Sequence, residues 1–154
     1  MAMHQMRTSQ FLPIPLEEAW DFFSDPGNLA KITPPEMGFI IQSGADQKMY
    51  PGQVIRYIVK PLLGIPMNWV TEIAHVQTPN HFVDTQLYGP YVHWHHQHFF
   101  KAVDGGTQMN DILHYQLPLG PLGDFVHWLF VRKRVKEIFE YRENVLHKMF
   151  GGTP

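Results

Sequence analysis

At 154 residues and 44% hydrophobic, the chain is long enough to bury roughly 68–70% of its unfolded surface, and one domain spanning residues 1–154 is expected. A formal charge of -2 excludes the dense Lys/Arg surface that nucleic acid demands. The absence of cysteine excludes disulfide scaffolds, thiolate metal sites and thiol catalysis, leaving His and carboxylates as the groups able to hold a metal.

The N-terminal stretch MAMHQMRTSQF has no apolar signal region, and no apolar run approaches the ~20 residues that span a bilayer. A cytoplasmic location without stable membrane insertion is the expectation. A short extended segment comes first and is stopped by Pro13 and Pro15. Leu16, Ala19, Trp20 and Phe23 then recur at helical spacing, with Glu17 and Glu18 in the favourable first turn. Ser24-Asp25-Pro26 end that helix and open another, PGNLAKI, which Thr33-Pro34-Pro35 close.

The texture then changes to strand-length segments between turn clusters. Strands are predicted near 37–43, 53–60, 67–76, 81–88, 92–103 and 107–117. After PLGPLG, Asp124 is placed to cap a long final helix running to about Met149. Its predicted buried stripe is Trp128, Val131, Val135, Ile138, Val145 and Met149, broadened by Phe125, Leu129, Phe139 and Leu146.

This order, together with PLEEAWDFFSDPGNLAKITPP, YPGQVIRY, GPYVHWHHQHFF, GGTQMNDILHYQLPLGPLG and IFEYREN, resembles the START-like superfamily, also called SRPBCC, helix-grip or Bet v 1-like. Within it the chain is similar to small stand-alone bacterial ligand-binding domains. The resemblance covers the whole chain. It implies an α+β helix-grip fold: a curved antiparallel sheet of about seven strands around a long C-terminal helix, two short helices after strand 1, and a hydrophobic pocket between sheet and helix.

Four histidines fall within six positions, His93, His95, His96 and His98. If Asp104-Gly105 makes a two-residue turn, Val103 pairs with Gly106, setting Phe100 opposite Met109, His98 opposite Asp111, His96 opposite Leu113 and Trp94 opposite Tyr115; a turn at Gly105-Gly106 changes these partners but keeps the faces. Strand alternation then sends Trp94, His96, His98 and Phe100 inward, and His93, His95 and Gln97 outward with His114. For the preceding strand, a three-residue turn sets Asp84 opposite His96 and Gln86 opposite Trp94. A two-residue turn sets Asp84 opposite His95; the first is preferred because its aromatic ends suit a covered face.

The candidate ligand-binding set is therefore Trp69, Glu72, Asp84, Gln86, Trp94, His96, His98, Phe100, Met109, Asp111 and Tyr115. Its polar members could form a self-satisfied network that fixes strand register, because buried charges demand partners. They could instead be the polar end of an apolar pocket. No metal or cofactor is expected, since two His at i and i+2 with an Asp is an unspecific pattern. The run RKRVK, Arg132 to Lys136, reads as a solvated face, with Lys133 and Lys136 each four residues before a Glu. KPLLGIPMNW is a candidate lid or a packed hairpin loop.

The expected function is binding of a small lipid-, aromatic- or polyketide-like molecule. One alternative is a polyketide cyclase or dehydratase-like enzyme, suggested by the fold resemblance, with His98, Asp111 and His96 as candidate acid/base groups. Another is a regulator that binds a protein partner.

Overall fold

A computed structural model of the chain describes residues 2–152. Seven strands form one antiparallel sheet: β1 (His4–Leu12), β2 (Ile40–Ser43), β3 (Gln53–Val59), β4 (Met67–Gln77), β5 (His81–Tyr88), β6 (His93–Val103) and β7 (Gly106–Gln116). Their order is β1-β7-β6-β5-β4-β3-β2, a meander whose last strand closes back onto the first. The alternation seen in the sequence becomes alternating burial, cleanest on β3 and β7, where every second side chain faces the core.

Between β1 and β2 lie the helix α1 (Leu16–Phe23) and two 3-10 turns, Pro26–Ile32 and Pro35–Met37. Asp25 caps the first of these turns by accepting from Gly27 N–H at 3.0 Å. The second explains why β2 is shorter than predicted: Pro35 to Met37 curl instead of extending, and Gly38 leaves the turn in the left-handed region at φ 53°.

The C-terminal helix differs from expectation at its start. It begins at Gly120, so Asp124 lies inside its first segment, α2 (Gly120–Val126), rather than at its cap. A π-helical turn, His127–Val131, joins α2 to α3 (Arg132–Phe150). This wider turn closes i→i+5 bonds, which aligns His127 with Val131 and rotates Trp128 away. Trp128, Phe125 and Leu129 are consequently exposed, as is Met149 at the far end. The buried stripe is Val131, Val135, Phe139, Arg142 and Leu146.

That stripe covers two parts of the sheet. Val131, Val135 and Phe139 pack on Leu113, Tyr115 and Leu117 of β7 and its exit. Leu146 joins Leu12, Trp20, Phe82, Phe100 and Met109 at the other end. A third cluster, Ile55, Tyr57, Val59, Trp69 and Ile73, belongs to β3 and β4. Among the described residues, no helix is long and apolar enough to cross a membrane.

Candidate functional site

Where the third cluster faces the C-terminal helix the two layers do not close completely. A cavity of about 190 Å³ remains, bounded by Tyr57, Trp69, Thr71 and Trp94 from the sheet, Ile138 and Arg142 from α3, and Leu29, Ile32 and Leu62 from the connections. Leu62 belongs to the β3–β4 connection, so that loop contributes wall rather than standing clear of the cavity. The polar atoms of the aromatic wall are satisfied: Thr71 Oγ1 accepts from Trp69 Nε1–H at 3.0 Å and lies 3.0 Å from the Tyr57 hydroxyl. Rings pack edgewise there, Trp69 on Trp94 at 5.2 Å.

One wall is charged. The β6–β7 hairpin has the register the Asp104-Gly105 turn requires, pairing His98 with Asp111, His96 with Leu113 and Trp94 with Tyr115. On the other side of β6, Asp84 pairs with His96, as the three-residue turn predicts. Two carboxylates thus bracket two imidazoles. His98 Nε2–H donates to Asp84 Oδ2 at 2.6 Å, and His98 Nδ1 lies 2.9 Å from Asp111 Oδ1 as a charge contact rather than an aligned hydrogen bond. His96 Nε2–H donates to Asp111 Oδ1 at 3.1 Å. Arg142 approaches Asp111 Oδ2 at 3.4 Å, and the Thr8 hydroxyl donates to the same oxygen at 3.3 Å.

The charges follow from this geometry. Burial alone would neutralise His98, but the contacts with Asp111 and Asp84 overcome it and raise its pKa. Burial lowers the pKa of His96, helped by the neighbouring His98 charge, so this ring is neutral. Burial also opposes the Asp111 charge, yet Arg142, His96 and His98 hold its carboxyl well below the usual range. Asp84 is lowered too, against its burial, by His96, His98 and Trp94. With His98 protonated, the two anions balance His98 and Arg142 and the buried group carries no net charge.

Several candidates from the sequence lie elsewhere. Glu72 points to the opposite face of the sheet, because Trp69, Thr71 and Ile73 take the inward positions of β4. The amide of Gln86 is spent on the β5–β6 turn, where it accepts from Tyr91 N–H at 3.1 Å and donates to the Tyr91 carbonyl. Phe100 and Met109 are core, packed with Trp20 and Leu146. Tyr115 lies in the β7 cluster, its hydroxyl 2.8 Å from His127 Nε2. Asp111 sits behind the histidines, and of the eleven candidates only Trp69, Asp84, Trp94, His96 and His98 line the cavity. Arg142 is the member that sequence reasoning misses, although its signal is present as a lone charge at helical spacing within the apolar stripe. Lys133–Glu137 and Lys136–Glu140 form the expected surface pairs at 3.7 and 3.6 Å.

Asp84, His96 and His98 each offer a ligand atom, all within 4.8 Å of one another. A divalent ion entering there would have to displace the His98 proton and share the cluster with the Arg142 guanidinium, so the donor set is a poor fit for one.

The shifts also fix a pH dependence. His98 is raised above 6.5, so its stabilising contribution is fully present below 6.5 and is lost as pH rises through the folded-state value. His96, His81 and His127 are lowered, so their contributions vary only below 6.5. The titratable groups beside His98 are Asp84, His96 and Asp111, with Arg142 behind Asp111 and His81 acting on it through charge. Denaturation in urea between about pH 6.5 and 9 should show stability falling with pH, and this falling limb should be absent from His98→Gln. A flat wild-type profile would contradict the charged state of His98.

No family model and no curated protein matches the chain. Solved structures do. A START superfamily protein from Mycobacterium smegmatis superposes with a TM-score of 0.71 at 14% identity, covering 96% of this chain and 97% of that one. The protein TTHA0849 from Thermus thermophilus gives a TM-score of 0.69 at 18% identity, with 94% and 95% covered. Ara h 8.0201 gives 0.64 at 18%, with 96% and 99% covered. Sheet order, helix placement and these superpositions agree: the chain has the START-like, helix-grip fold.

Proposed function

We propose that the chain binds a small hydrophobic molecule in the cavity between the sheet and the C-terminal helix, with Asp84, His96 and His98 orienting its polar end. The observation behind this reading is the cavity itself, walled by aromatic and aliphatic side chains from both layers and ending on a charged cluster. Apolar walls would supply most of the affinity, at roughly 25 cal/mol per Å² buried, and the few polar groups the orientation. A START superfamily protein shares the sheet-and-helix arrangement that encloses this cavity.

The test is native mass spectrometry of freshly purified protein beside an Ile138→Trp variant, whose indole would occupy the cavity from the half-buried wall of α3. A bound organic mass in the wild type that is missing from the variant, with unchanged circular dichroism, is the expected result. An identical ligand mass on both proteins would place the binding elsewhere.

A second reading has one observation in its favour. Asp111 holds the Nε2–H of His96, which leaves the other ring nitrogen free to act as a base beside the cavity. Turnover of an aromatic or polyketide-like substrate, lost in His96→Gln while binding persists, would establish an enzyme.

A further inference from the structure

Asp111 is saturated. Its two oxygens receive His96 Nε2–H at 3.1 Å and the Thr8 hydroxyl at 3.3 Å, and they face His98 Nδ1 at 2.9 Å and Arg142 at 3.4 Å. A carboxylate so surrounded is ionised and can only accept, which puts the His96 proton on Nε2. The other nitrogen, Nδ1, then carries a bare lone pair. It faces a second acceptor, Asp84 Oδ2, at 3.7 Å, beyond hydrogen-bonding range. That oxygen already accepts from His98 at 2.6 Å. Two acceptors thus converge with no proton between them, and both residues line the cavity. Of the two carboxylates, Asp84 is the one turned toward this space, its side chain 19% exposed against 3% for Asp111.

We propose that the cavity selects a hydrophobic ligand bearing an O–H donor, a phenol or an enol, whose hydroxyl is seated at Asp84 and His96 Nδ1. This rests on the cavity reading above and adds the ligand class to it. A carbonyl, ether or halogen at the same point would bring a third lone pair to the two already there. A hydroxyl relieves their repulsion by supplying the missing proton. Asp84 keeps its pair with His98, but an analogue without the donor leaves His96 Nδ1 unpaired, which is the condition for discrimination. Size narrows the class further: a dry cavity of roughly 150 Å³ holds benzene, so about 190 Å³ suits one substituted ring. Edgewise contact with Trp69 and Trp94 favours that ring being aromatic.

The experiment is calorimetric titration of the full chain with three probes of similar shape, 4-ethylphenol, 1-ethyl-4-fluorobenzene and 4-ethylbenzaldehyde. The phenol is expected to bind tighter than either of the others by about tenfold or more. Equal affinities, or a tighter aldehyde, would overturn the donor inference and leave the cavity reading standing. If none of the three binds, both fail together. In Asp84→Asn, where an amide replaces an acceptor oxygen, the preference should shrink to within about twofold. Should that variant not fold, the ¹⁵N resonance of His96 Nδ1 in the wild type decides: it should move when the phenol binds and stay when the fluorinated probe is added. Stoichiometric zinc uptake by metal-free protein that blocks the phenol would also overturn the inference, because the lone pairs would then converge on a cation.

Discussion

Asp111→Ala is expected to lower stability by about 3–5 kcal/mol, the range for breaking a buried ion pair from one side. The carboxylate is 3% exposed and is the shared partner of His96, His98 and Arg142. Its removal leaves Arg142 buried with no anion, since that guanidinium contacts only Asp111, a Met109 sulfur at 3.7 Å and the faces of Phe23 and Phe139 among the described residues. Asp111→Asn should recover the volume but little of the stability, because the charge is what Arg142 and His98 require. Urea denaturation at pH 7 measures both. A loss under about 1 kcal/mol for the alanine variant would show that the cluster does not depend on this carboxylate.

Trp20→Ala is expected to cost about 3–5 kcal/mol, as truncations of large buried aromatics do. Trp20 meets Phe82 at 5.9 Å and Phe100 at 5.7 Å, both edge-to-face. Phe82 in turn stacks on the His98 ring at 4.1 Å. The substitution therefore removes core from beneath the charged wall, and the His98 ring resonances should broaden or shift although Trp20 does not touch it. Denaturation midpoints and ring-proton spectra read the two effects separately. A small loss with an unmoved His98 spectrum would mean that neighbouring side chains collapse into the space.

The sheet is readable in the sequence because its turns are chemically explicit. A turn at Asp104-Gly105 or at Gly105-Gly106 gives the same inward residues of β6 and β7, including His96, His98 and Asp111, and the Val103–Gly106 pairing selects the first. The Gly89-Pro90 turn is less explicit and leaves two registers open, which the Asp84–His96 pairing resolves. The C-terminal helix is harder. A stripe drawn at a constant helical period cannot anticipate a π-helical turn, so it sends Trp128 inward where His127 is buried instead. Arg142 escapes such a reading because a charge inside an apolar stripe looks like an interruption unless its partner, here Asp111 on another element, is already placed. Glu72 is a matter of phase along β4, where alternation puts it on the outer face.

The balanced cluster draws its members from separate parts of the chain: Thr8 from β1, Asp84 from β5, both histidines from β6, Asp111 from β7 and Arg142 from the last helix. Losing the helix alone, or β5 alone, unbalances the charges that remain. If the helix frays or β5 peels away, an unmatched charge stays inside a low-dielectric core, so partly unfolded forms are penalised more than their lost contacts alone would suggest. The group therefore ties the packing of the last helix to that of the sheet around the cavity they enclose.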